Sequence, residues 1–108
     1  MLNISNDKIN RFIELIEHLN DYTEKIKNPS LNPTKEKLLT FLDKLSIEEL
    51  SDVIALMYSG RDGSKFSYLK EQFGGNEKRR ENYVDKIFEK RTELPRYLRD
   101  GLSQLDVD

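Results

Sequence analysis

The 108-residue chain contains no cysteine, which excludes both a disulfide framework and a thiolate metal site. That absence fits a reducing compartment. Its single histidine, His18, lies in Glu14-Leu15-Ile16-Glu17-His18, which is not the two-histidine spacing that holds zinc, so no metal is expected. No apolar run approaches a membrane span, and no basic stretch followed by an apolar one marks a secretory leader. A cytoplasmic protein without membrane contact is the expectation. Three prolines and five glycines are too few for a low-complexity chain. No serine stands on a strand-turn-helix elbow, and no glycine-rich segment ends in the Lys-Ser/Thr of a phosphate loop. Carboxylate pairs on exposed helix faces lack the burial that tunes general acids. Neither a catalytic constellation nor a cofactor is expected, and the chain reads as a non-enzyme.

What is present is charge and helical periodicity. Hydrophobic residues make up 36% of the chain and charged residues 35%, with a net charge of −2. This balance suits a small helical protein with strongly solvated faces and argues against bulk electrostatic binding to nucleic acid. The charge is uneven: residues 1–54 carry 7 basic and 10 acidic side chains, residues 55–108 carry 11 and 10.

The best-written helix lies at about 47–59. Ser46 and Glu49 have capping-box spacing, and Glu48, Glu49 and Asp52 place negative charge where the helix dipole favours it. Ile47, Leu50, Val53, Ile54 and Met57 form one apolar stripe, widened by Ala55 and Leu56. Gly60 suits a left-handed position just past the last turn, and Asp62-Gly63 signals a stop. Upstream, Ser5-Asn6-Asp7 can cap a first helix reaching about Lys27, with Ile9, Phe12, Ile13, Ile16, Leu19 and Ile26 on one face. The breaker-rich segment from Asn28 to Pro33 connects it to the rest. Downstream, Thr34 can cap a second helix that is apolar nearly all round (Leu38, Leu39, Phe41, Leu42, Leu45). Ser64 can cap a fourth element holding Phe66, Tyr68, Leu69 and Phe73. Asn76 can cap a fifth with Tyr83, Val84, Ile87 and Phe88 inward. Thr92 can cap a last helix carrying Leu94, Tyr97, Leu98, Leu102 and Leu105. Gly101 falls inside that last pattern, where it costs about 1 kcal/mol relative to Ala unless a neighbouring helix packs closely against it. No period-2 strand and no internal repeat appears. The expected fold is all-α: one domain, an N-terminal helix over 1–28, a connection over 29–33, and a bundle over 34–108. Five to six short helices would pack irregularly around the central one.

The stretch from about Leu45 to Leu102 resembles a bacterial family of domains of unknown function, number 3775 in its series. The resemblance rests on Leu56-Met57-Tyr58-Ser59-Gly60-Arg61-Asp62-Gly63 and on Tyr97-Leu98-Arg99-Asp100-Gly101-Leu102. It implies an all-helical fold and supplies no activity, the family being functionally unassigned. The first 44 residues lie outside it.

Three charged features bear on function. Glu14, Glu17, Asp21 and Glu24 form an acidic stripe nearly opposite the apolar face of the first helix. Such a stripe can steer a basic protein partner, or be an ordinary solvated face. Arg61, with its planar fork, can clamp a phosphate or carboxylate, or can pin its own helix end to a neighbour. Lys78-Arg79-Arg80, followed by Arg91, Arg96 and Arg99, suggests a nucleic-acid groove, but Glu77, Glu81, Asp85, Glu89 and Glu93 interrupt it. The expectation is an acidic protein-interaction module, for example an immunity- or antitoxin-like inhibitor of a basic toxin or nuclease. Its partner-binding residues would be Glu14, Glu17, Asp21, Glu24 and Arg61. The alternative is a nucleic-acid-binding or regulatory protein using the basic C-terminal segment. The periodicity leaves a homo-oligomer open, since Tyr22, Tyr68 and Phe73 fit either a core or an interface.

Overall fold

A computed structural model describes the backbone of residues 2–25 and 33–105 and the side chains of 2–21 and 34–105. Most of the expected connection, together with Ile26, Lys27 and the side chain of Tyr22, lies outside them. Six α-helices follow one another: α1 (Asn6–Lys25), α2 (Pro33–Lys44), α3 (Ile47–Asp62), α4 (Phe66–Gln72), α5 (Arg80–Glu89) and α6 (Leu94–Leu105), with a single 3₁₀ turn at Glu77–Arg79. No strand occurs among the described residues. The fold is all-α, as the periodicity requires.

Helices α1 and α3 and the 3₁₀ turn each begin where a side chain satisfies a first amide. Ser5 Oγ accepts from the Lys8 amide at 3.2 Å and starts α1. At α3, Ser46 Oγ accepts from the Glu49 amide at 3.0 Å while Glu49 Oε1 accepts from the Ser46 amide at 2.9 Å. That is the reciprocal box expected from the spacing. Asn76 Oδ1 accepts from the Lys78 amide at 3.0 Å. Three expected caps are corrected. Helix α2 opens with Pro33 itself, whose missing N–H would be unpaired in a first turn anyway, so Thr34 is already helical. Lys65 rather than Ser64 precedes α4. A turn over 90–93 leads into α6, so Thr92 stands too early, and the Tyr97 amide donates to the Glu93 carbonyl.

Helix α3 is the core of the molecule. Leu50 and every residue from Val53 to Met57 are buried, so no side of its middle turns faces water. Helix α1 lays Ile9, Phe12, Ile13, Ile16 and Leu19 into the same cluster, and Leu15 joins them from the edge of that stripe. Leu38, Leu42 and Leu45 come from the inner face of α2; Leu39 points outward, so α2 is one-sided rather than apolar all round. Phe66 and Leu69 of α4, Tyr83 and Ile87 of α5, and Leu94 and Leu98 of α6 complete the cluster. Tyr68 is 58% exposed and belongs to the surface. Phe73 is half-buried, its ring stacked on Tyr58 with centroids 5.0 Å apart.

The most extensive helix pairing is α3 on α6, and glycine makes it possible. Gly60 does not terminate α3 as expected: the helix runs on to Asp62 and Gly63 takes the left-handed cap at φ 75°. Gly60 instead lies where α6 crosses. A Cβ built on it would sit 1.8 Å from the Tyr97 carbonyl oxygen, and one on Gly101 would sit 2.3 Å from the Leu56 carbonyl oxygen. The two backbones touch, each through the other's glycine. Buried Ser59 strengthens the crossing: its Oγ donates to the Ser64 carbonyl at 2.8 Å and lies 3.2 Å from Gln104 Oε1.

Replacing Gly60 or Gly101 by Ala must therefore push whole helices apart, since the obstacle is backbone. Each change is expected to destabilise by about 3 kcal/mol, at the upper end of overpacking costs. Gly63→Ala meets no neighbour and should cost only about 1 kcal/mol for its left-handed backbone. Urea denaturation of the three variants checks the order; equal losses would contradict the crossing.

Candidate functional site

The acidic face of α1 is built as its spacing demands. Glu14, Glu17 and Asp21 are all exposed, and with His18 they line a shallow open depression of about 250 Å³. The Glu24 side chain lies outside the described residues. The face is not pure unpaired charge. Glu17 Oε1 accepts from Arg99 of α6 at 3.0 Å, and Glu14 lies 3.5 Å from Arg11. Glu17 thus also ties the first helix to the last, a long-range link that no pattern within either helix reveals.

Arg61 does not join this surface. Its Nε and Nη2 donate to the two carboxylate oxygens of the adjacent Asp62 at 2.8 and 3.0 Å, and its guanidinium lies 4.6 Å from the Tyr58 ring centre. Hydrogen bonding from Arg61 holds the Asp62 carboxyl below its usual value, and the same bond raises Arg61. The fork that would recognise an incoming anion is occupied by a neighbour.

The basic C-terminal segment is largely engaged within the protein. Arg80 makes a two-pronged pair with Glu77, both bonds 2.7 Å, and also donates to the Leu42 carbonyl at 3.2 Å. Arg96 pairs with Glu93 at 2.8 Å, Arg79 donates to the Gln72 carbonyl at 3.1 Å, and Arg91 to the Phe88 carbonyl at 3.4 Å. Charges used this way give no continuous track for phosphates.

One polar centre escaped the sequence reading. Asp52, which the spacing reads as a first-turns acid favoured by the helix dipole, is fully buried. Its Oδ2 accepts from the Asn3 and Ile4 amides, the latter at 3.0 Å, fastening the residues that lead into α1. Its Oδ1 lies 2.8 Å from Lys70 Nζ of α4, in an ion pair rather than a well-aligned hydrogen bond. Lys70 also donates to Ser51 Oγ and, at 3.4 Å, to the Glu48 carbonyl. The burial has a simple cause. Asp52 faces away from the apolar stripe of α3, but that side is covered by the N-terminal segment and α4 rather than by water. The nearness of Ser51 and Lys70 does not make a nucleophile and its base. Ser51 is buried and gives its proton to the Glu48 carbonyl at 2.9 Å. Lys70, donating to both neighbours, has no lone pair with which to accept one.

Beside it, Glu49 closes the capping box and accepts from Lys8 at 2.7 Å. Partial burial pushes its carboxyl up, but the bonds from Lys8 and Ser46 outweigh that and leave it below the usual glutamate value. Among the described residues, no group of three or more His, Cys, Asp or Glu could hold a metal ion. Among the described residues, no helix is long and apolar enough to cross a membrane.

Lys70→Met should strand the Asp52 charge in the interior and destabilise by about 3 kcal/mol. Adding Asp52→Asn should recover part of that loss, because the stranded charge is then gone. A double-mutant cycle by urea denaturation would read the coupling; strict additivity would contradict a direct pair. A second outcome concerns pH. A carboxyl whose folded value lies below its unfolded one stabilises above the unfolded value, and loses that contribution as pH falls through the folded one. Stability should therefore fall as pH drops below the ordinary glutamate value, and Glu49→Gln should flatten part of the fall.

Comparison with known proteins adds one finding. A family described as "Protein of unknown function (DUF3775)" matches residues 35–107, which extends the Leu45–Leu102 resemblance to include nearly all of α2. No curated protein and no solved structure matches the chain. Both motifs that carried the resemblance lie in the matched region, and they are the two strands of sequence that meet at the α3–α6 glycine crossing. With more than half its length matched, the chain belongs to the DUF3775 family.

Proposed function

We propose that the protein is a small protein-interaction module that presents the acidic face of α1 to a basic protein partner. The observation that carries this reading is the cluster of Glu14, Glu17 and Asp21 around one open depression on a solvent face. Helix α1 lies outside the family-matched region, so this surface is specific to the part of the chain that the family does not describe. Glu24 extends the stripe by spacing. Arg61, committed to Asp62, is dropped from the binding set. An inhibitor that covers a basic nuclease or toxin in the bacterial cytoplasm is one concrete form. Its acidic face would accelerate encounter more than it deepens affinity.

The alternative, nucleic-acid binding by Lys78 to Arg99, finds less support because Arg80, Arg96 and Arg99 are paired with Glu77, Glu93 and Glu17. Affinity purification of the tagged protein with and without nuclease separates the two readings. A basic protein that survives nuclease is expected; recovery of nucleic acid would favour the alternative. Combined Glu14→Lys, Glu17→Lys and Asp21→Lys should then slow association with that basic protein by about tenfold or more at low salt. The fold should persist, since the exposed pairs lost contribute about 1 kcal/mol or less each. An unchanged association rate would remove the acidic face from the reading.

A further inference from the structure

A second surface on the same helix has the opposite character. Between α1 and α2 runs an open groove of about 490 Å³ whose floor is Leu15 and Phe41. Phe41 stacks flat on buried Phe12, with ring centres 5.9 Å apart and planes 3° from parallel, so the floor is rigid. Arg11 stands on the α1 side, and Lys37, Thr40 and Lys44 on the α2 side; Glu36 is the one carboxylate in the lining.

These cations differ from others in the molecule. Lys8, Lys70, Arg80, Arg96 and Arg99 each have a carboxylate partner at 3.0 Å or less. Among the described residues no carboxylate lies within ion-pair distance of Lys37 or Lys44, and Arg11 has only Glu14 at 3.5 Å. A cleft with an apolar floor and a basic rim whose two lysines lack carboxylate partners is complementary to an amphipathic segment with an apolar anchor and flanking carboxylates.

The floor's depth and the rest of the surface narrow the choice of occupant. Leu15 is only 5% exposed and Phe41 is recessed, so a flat bilayer would not reach the floor. Nucleic acid wants an open aromatic face, whereas the one aromatic here is already stacked on Phe12. A second copy of this chain could offer Glu14 and Glu17, but the described apolar stripe of its own α1 is buried in its core, and among the described residues the exposed large hydrophobics are Leu39 and Tyr68, on other helices. Among the described residues, no exposed large hydrophobic accompanies those two acids on α1.

We propose that the α1–α2 groove docks an acidic amphipathic helix of another protein. An apolar side chain enters over Leu15 and Phe41, and flanking carboxylates meet Arg11, Lys37 and Lys44. This site is separate from the acidic face and does not depend on it.

The probe is a designed helical peptide with leucines at i, i+3, i+4 and i+7 and glutamates on either side, beside a twin with lysines in place of the glutamates. Fluorescence anisotropy and NMR shifts would be followed at low salt with the full chain. The acidic peptide is expected to bind and to shift Leu15 and Phe41. The exposed double variant Lys37→Glu/Lys44→Glu, which leaves the core untouched, should weaken it by about tenfold or more and favour the lysine twin instead. Absence of binding, equal binding of both peptides, or indifference to the double variant would overturn the proposal. So would self-association or binding to anionic vesicles that the double variant abolishes, since either would assign the groove to a different occupant.

Discussion

The molecule depends on the contact between two backbones. Where α3 crosses α6, Gly60 meets the Tyr97 carbonyl and Gly101 meets the Leu56 carbonyl, leaving no room for a side chain between them. Apolar burial alone would hold these helices at an ordinary side-chain separation. The glycines allow a closer approach, and the flexibility they add to the unfolded chain is the cost of it. Because α3 is enclosed on every side of its middle turns, its distance from α6 constrains where α1, α4 and α5 can sit around it.

A second constraint works across the other end of α3. A carboxylate with no access to water must have its oxygens satisfied by donors, and Asp52 draws them from the N-terminal segment and from Lys70 of α4. Hydrophobic contact would tolerate some sliding of these elements. Two amides and an ammonium around one carboxylate tolerate much less, so this centre contributes to register more clearly than to net stability.

What the sequence made legible follows from how far each signal reaches. The Ser46–Glu49 box, the α1 stripe from Ile9 to Leu19 and the run from Val53 to Met57 are local patterns, and all are found in place. The role of Gly60 is not legible because a glycine near a helix end looks alike whether it caps that helix or receives another. The burial of Asp52 is not legible because periodicity orients a residue within its own helix and says nothing of what covers the far side. The same limit applied to charge. Spacing located Glu14, Glu17 and Asp21 on one face, yet the Arg99 that pairs with Glu17 comes from 82 positions along the chain. Lys37 and Lys44 carry no signal in the sequence, since their significance rests on the absence of carboxylate neighbours among the described residues.

The clasp at Asp52 also bears on how separable the parts of this protein are. The family-matched region begins at Lys35, which invites excision of the segment from there onward as a module in its own right. Such a fragment would keep the glycine crossing but lose the Asn3 and Ile4 amides, leaving a formerly enclosed carboxylate with one ammonium for company. It would also uncover the side of the core now filled by Ile9, Phe12 and Ile16. The boundary that sequence similarity draws is thus not a boundary of physical autonomy. In this chain the helix outside the matched region packs into the same core as the helices inside it.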